Sequence, residues 1–134
     1  MNKTIRMSEA VSIAFHSAVY LANKPKEMIS AKSIADELKI SEAHLSKVLQ
    51  RLVKVGLMRS NRGPRGGYGL AREPVEITLL DLYEAVEGPI HNPDCMFGYH
   101  ICKRDNCIFR GLHETIFHVY LDYLEQTRIH QLID

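Results

Sequence analysis

A chain of 134 residues with 46% hydrophobic side chains is long enough for one domain with its own core. It holds no apolar run of about 18 residues, and its opening MNKTIRMSEAVSIAF lacks the unbroken apolar stretch of a secretory signal, so the expectation is a cytoplasmic protein with reduced thiols and no membrane partner. The net charge of +1 conceals two unlike halves, because residues 1–72 carry 13 Lys/Arg against 5 Asp/Glu and residues 73–134 carry 4 against 11.

Residues 8–22 read as a first helix, with Ser8 as N-cap and Asn23 and Pro25 as its stop. Val11, Ala14, Phe15, Ala18 and Leu21 form its apolar stripe. A helix pair follows over residues 30–55. Ser30 caps a short helix with Ile34, Ala35 and Leu38 inward, Lys39 and Ile40 make a tight turn, and Ser41 caps a longer helix that Gly56 ends. At 100° per residue, Leu45, Val48, Leu49 and Leu52 share one face of the longer helix. Ala43, Lys47, Gln50 and Lys54 share the opposite face, flanked by His44, Ser46 and Arg51. Two helices joined by a short turn, the second with a basic and hydrogen-bonding outer face, are the pattern of a helix-turn-helix. Between Glu42 and Glu73 lie seven basic residues and no acid, which points to a polyanionic partner.

GLMRSNRGPRGGYGL, residues 56–70, reads as two short strands, 57–60 and 67–70, around a Gly- and Pro-rich tip that carries Arg62 and Arg65. A basic hairpin directly after a helix-turn-helix is a wing. ITLLDLYEAVEGP reads as a further helix, with Thr78 and Asp81 as a capping box and Gly88-Pro89 as its end. The last helix runs from about Ile108 to Tyr123 or beyond. Its Phe109, Leu112, Ile116, Val119 and Tyr123 form a heptad-like seam, read as a dimer contact because a finished winged helix leaves such a helix little to bury against. The expected fold is mostly α with a small β-wing: a winged helix-turn-helix over 1–88, a cysteine-containing sensor loop over 89–107, and a dimerisation helix and tail over 108–134.

All three cysteines fall within CMFGYHICKRDNC, residues 95–107. An odd number in a chain that is not cysteine-dense speaks against a disulfide framework. Cys95, Cys102 and Cys107 are soft ligands suited to an iron–sulfur cluster or zinc, and Lys103 and Arg104 beside them favour thiolate over thiol. A thiol redox switch without metal is the alternative. A thiol enzyme lacks support, since there is no CxxC, no His base paired with a nucleophile and no phosphate cradle leading into a helix. The expectation is therefore not an enzyme. A winged helix that binds protein alone fits poorly with the basic first half.

The order first helix, helix-turn-helix, RGPRGGYGL wing, ITLLDLYEAVEGP helix, three cysteines and long helix resembles the bacterial winged-helix regulators that sense through an iron–sulfur cluster, the IscR/NsrR type. The resemblance spans nearly the whole chain. It implies a homodimeric transcription factor, most simply a repressor, on a near-palindromic double-stranded DNA operator, with a [2Fe–2S] or [4Fe–4S] cluster as cofactor. RNA polymerase is a further candidate partner. The family also contains members without a cluster, and its signals include cluster demand, iron, nitric oxide and redox state. Ser41, Ala43, His44, Ser46 and Lys47 lie on the first turns of the recognition helix, which reach base edges, while Lys47, Gln50 and Arg51 reach bases or phosphates. Arg62 and Arg65 at the wing tip suit a narrow minor groove.

The resemblance also bears on the cluster's fourth ligand. Where IscR-type relatives place a histidine, three residues after the last cysteine, this chain has Arg110, which cannot ligate. Glu9 stands where nitric-oxide-sensing relatives place an aspartate that reaches over from the partner subunit, and ranks first. His16, on the same helical face and at a position resembling a ligand of a redox-sensing relative, ranks second; His100 and His113 are nearer in sequence.

Overall fold

The fold is that of a computed structural model, which describes residues 7–92 and 107–134 and, of Arg110, the backbone alone. Three helices come first: α1 (Glu9–Ala22), α2 (Ala31–Leu38) and α3 (Glu42–Lys54). Each starts where a serine precedes it. The hydroxyl oxygens of Ser8, Ser30 and Ser41 accept from the backbone N–H of Val11, Ser33 and His44, at 3.1, 3.1 and 3.3 Å. Each such cap contributes about 1 kcal/mol. Lys39 takes the left-handed conformation at φ 57°, and the N–H of Ile40 bonds back to the Ala35 carbonyl at 3.0 Å, which makes the tight turn between α2 and α3.

The apolar stripes go where their spacing sends them. Ile34, Ala35, Leu45, Val48, Leu49 and Leu52 are buried, and Leu38 is half-buried. The first helix buries more than one stripe. Ile13, Ser17 and Ala22 are buried alongside Val11, Ala14, Ala18 and Leu21, while Phe15 stays half-exposed. The reason is position: α1 packs on α3 and also on α4 (Leu79–Glu87), so a wide sector of its surface is covered.

The wing is an antiparallel pair, β1 (Met58–Asn61) and β2 (Gly67–Leu70), in the register Met58 to Leu70 through Asn61 to Gly67. It is seated on the segment before α2. The Ile29 N–H donates to the Tyr68 carbonyl at 3.0 Å, and the Tyr68 N–H to the Ile29 carbonyl at 2.7 Å. The capping box at the start of α4 is present in both directions, Asp81 N–H to Thr78 Oγ1 and Thr78 N–H to Asp81 Oδ2, each at 3.0 Å.

The final helix, α5 (Arg110–Gln126), starts two residues later than its periodicity suggested and runs past Tyr123 to Gln126. One side of it faces inward, with Leu124 buried and Tyr120 packed on the core. The tail then crosses back. The Ile129 N–H bonds the Ile77 carbonyl at 2.9 Å, the Leu79 N–H bonds the Thr127 carbonyl at 3.0 Å, and Ile129 is wholly buried. Residues 108–134, grouped by sequence as dimerisation helix and tail, thus lend Leu124 and Ile129 to the common core. The other side of α5 is bare: Leu112, Val119 and Tyr123 are 54%, 66% and 58% exposed, and Phe109 is exposed as well. Of the five seam residues only Ile116 is half-buried.

Candidate DNA interface and cysteine segment

The outer face of α3 follows from its inner one. Once Leu45, Val48, Leu49 and Leu52 enter the core, Lys47, Gln50, Arg51 and Lys54 must project outward, and they line one shallow groove. Ala43, Lys47 and Gln50 are exposed, as are Arg62 and Arg65 on the hairpin tip. These residues are free to meet a ligand. Lys54 joins them; its spacing of seven from Lys47 placed it on this face, but it was not among the residues expected to touch DNA.

Three residues expected at DNA have other engagements, and a fourth is partly covered. The Ser41 hydroxyl is spent on the helix cap. Ser46 is half-buried. The ring of His44 is turned toward α1, with Nδ1 3.5 Å from the Glu9 carboxylate. The Arg51 guanidinium donates from Nη1 to the Val86 carbonyl, 2.9 Å away at the end of α4.

That end of α4 is where the chain departs toward the cysteines. Gly88, at φ 82°, breaks the helix, and the Ile90 N–H bonds back to Glu84 Oε2 at 3.0 Å. The Ser8 hydroxyl donates to the Glu87 carboxylate, joining the start of α1 to the end of α4. Tyr83 on α4 and Tyr120 on α5 meet edge to face with ring centroids 6.1 Å apart. Burial pushes the Tyr83 hydroxyl above the ordinary tyrosine range, and the Glu87 and Glu84 carboxylates push the same way. The Tyr120 hydroxyl is raised by burial first, then by Tyr83 and Glu87. Both rings therefore pack as neutral phenols between the two helices that flank the cysteine segment.

Cys95 and Cys102 lie outside the described residues, as do His100, Lys103 and Arg104. Cys107 is exposed, and its sulfur accepts the Phe109 N–H at 3.4 Å. Glu9 and His16 are both exposed on α1. The His16 Nδ1 lies 2.7 Å from the Ser12 carbonyl oxygen, which can only accept, so this contact needs a proton on Nδ1. His113 is half-buried on α5. Among the described residues, no three His, Cys, Asp or Glu side chains converge as a metal site within one chain. No helix there is long and apolar enough to cross a membrane.

A basic recognition helix, a seated wing and a cysteine segment between α4 and α5 are the features that comparison with known proteins meets. Residues 7–134 match the family described as Rrf2, iron-dependent transcriptional regulator. The chain belongs to the Rrf2 family. This Rrf2 chain is 35% identical over 119 residues to the HTH-type transcriptional regulator NsrR of Shouchella clausii, a match covering 86% of this chain and 79% of that protein. CymR, the global cysteine regulator of B. subtilis, is structurally similar with a TM-score of 0.80 at 29% identity, over 96% of this chain and 95% of that one. IscR of T. potens is similar with a TM-score of 0.76 at 26% identity, over 96% and 85%. The Rrf2 assignment makes the chain a winged-helix transcriptional regulator, as the order of its sequence motifs implied.

Proposed function

We propose that this Rrf2 regulator is a homodimer that binds a near-palindromic DNA operator, and that an iron–sulfur cluster held by Cys95, Cys102 and Cys107 controls its affinity. The observation that carries this reading is placement. The segment with every thiol starts at the end of α4, which Arg51 and Val86 join to the recognition helix, and ends at α5, whose bare apolar side suits a second copy of the chain.

The donor set fits the group. Three thiolates are soft ligands, and an N–H aimed at a ligand sulfur, as from Phe109 to Cys107, is one of the contacts that tune such centres. His16 supports a fourth ligand, because metal-binding histidines commonly donate one ring N–H to a carbonyl and bind through the other nitrogen. Glu9, the other candidate, would have to leave His44. When bound, the cluster supplies a redox-active, labile cross-link among the thiolates. The chain's own part is to join the cysteines, through α4, to α3. Small shifts matter, since two recognition helices must match half-sites about one helical turn apart.

DNA binding rests on Lys47, Gln50, Lys54, Arg62 and Arg65, with Ala43 near the base edges. Replacing Lys47 or Arg65 by Ala is expected to weaken DNA binding, and to flatten the slope of log affinity against log salt by about one where the lost group met a phosphate. Unchanged affinity and slope in both variants would remove this face from DNA. The seam on α5 gives a separate expectation. Val119→Asp places a charge in the dimer contact and should shift the chain from dimer to monomer in sedimentation, with its helix content intact; a dimer unchanged by this substitution would put the contact elsewhere.

A thiol switch without metal is a second reading, favoured by the likeness to CymR, one relative of which has been crystallised in an oxidised form. The test of control compares the parent with a Cys95→Ala, Cys102→Ala, Cys107→Ala variant for DNA affinity under anaerobic, oxidised and nitric-oxide-treated conditions. The parent should change affinity at least several-fold across conditions while the variant does not. Equal and unresponsive binding by both proteins would sink control by this segment in either form.

A further inference from the structure

Arg51 stands apart from the other cations of α3. Lys47 and Lys54, like the neutral Gln50 between them, have no side-chain partner among the described residues, whereas the Arg51 guanidinium is bonded to Val86, 35 positions along the chain. The Val86 carbonyl lies in the last turn of α4, where carbonyls lack partners inside the helix. Glu84 has its own partner in the N–H of Gly88 at 2.9 Å. Arg51 thus satisfies an orphaned carbonyl and puts a cation at the negative end of the α4 dipole, two effects that favour this contact over an idle surface charge.

A second contact lies at the other end of α3. His44, in its first turn, faces Glu9 at 3.5 Å, and the adjacent Ser8 is bonded to Glu87, next to Val86. One corner of the molecule, residues 8–9 and 86–87, therefore meets both ends of the recognition helix, with the Arg51 bond to Val86 as the firm tie. The chain leaves that same corner at Gly88 for the cysteine segment.

We propose that Arg51 is a positioning residue for DNA binding: it sets the angle of α3 against α4 and does not contact DNA. The proposal rests on the reading of α3 as the DNA-facing helix. Base-edge readout depends on how the helix lies in the major groove, so loosening one end lowers affinity without removing a phosphate contact.

The experiment uses full-length Arg51→Met, Arg51→Lys and Lys47→Met proteins and a duplex that the parent selects in vitro from random sequence. Affinity is measured from 50 to 200 mM salt at a temperature where circular dichroism shows every protein folded. Arg51→Met should bind at least fivefold more weakly at each salt concentration, with the parent's salt slope. Arg51→Lys, which keeps a donor able to reach the carbonyl, should recover most of the affinity. A slope shallower by about one in Arg51→Met would make Arg51 a phosphate contact and overturn the proposal, as would unchanged affinity. Should Arg51→Met fail to fold, the guanidinium NMR signals of Arg51 in the parent decide: unmoved on adding duplex, they support the proposal, and shifted, they overturn it. If Lys47→Met leaves affinity and slope intact, the DNA-facing reading of α3 falls first and takes the proposal with it.

Discussion

Gly67→Ala is expected to unseat the wing. Gly67 opens β2 at φ +151°, and a Cβ there would lie 2.4 Å from both the carbonyl carbon and the oxygen of Ile29. Those are backbone atoms, so no side-chain rotation relieves the clash. β2 and the Ile29 segment must separate, which breaks the paired bonds between Ile29 and Tyr68 at 3.0 and 2.7 Å. Strained backbone and two lost hydrogen bonds together cost about 2–4 kcal/mol. Urea unfolding should show that loss, and DNA affinity should fall further, because Arg62 and Arg65 ride on the displaced hairpin. Gly111→Ala is the matched control. It lies in α5 with nothing within 4 Å of the added carbon, so its stability should stay the same or rise by up to about 1 kcal/mol. Equal stability of Gly67→Ala and parent would mean that the wing is not seated on Ile29.

Ile129→Ala carries the second large effect. Its side chain is wholly buried, in a tail whose backbone pairs with residues 77 and 79. Removing three carbons from such a site costs about 2–5 kcal/mol, depending on how far the cavity collapses. A thermal scan should show the midpoint falling by at least several degrees. The comparison with Val119, 66% exposed on α5, is informative: truncating that residue to Ala should leave the folding of a single chain almost unchanged. A midpoint unmoved by Ile129→Ala would show that the tail is an appendage of the fold.

The parts legible in the sequence were those with a local physical cause. Ser8, Ser30, Ser41 and Thr78 announced helix starts because a side-chain oxygen three residues ahead of an N–H can accept from it. The α3 faces were legible because a period of 3.6 residues separates Leu45, Val48, Leu49 and Leu52 from Lys47 and Gln50. The hairpin was legible from glycines that alone tolerate its backbone. Long-range contacts left no such mark. Ile129 shows no periodicity, and its burial depends on a strand-like pairing with Ile77. Arg51 and Lys47 are alike as exposed cations on one helix, and only the position of α4 tells them apart. The same holds for His44, whose turn toward Glu9 requires α1 to lie alongside.

The cluster proposed on the gathered thiols, governing DNA binding, would leave a visible and analytical signature. Its most direct test is to purify the chain without oxygen, record the visible spectrum, and assay iron and acid-labile sulfide per chain, beside the variant with all three cysteines replaced. The expected result is a brown protein with iron and sulfide in comparable amounts, and a colourless variant with neither. A parent that stays colourless and free of both, even after cluster reconstitution, would contradict the claim and leave the thiol switch in its place.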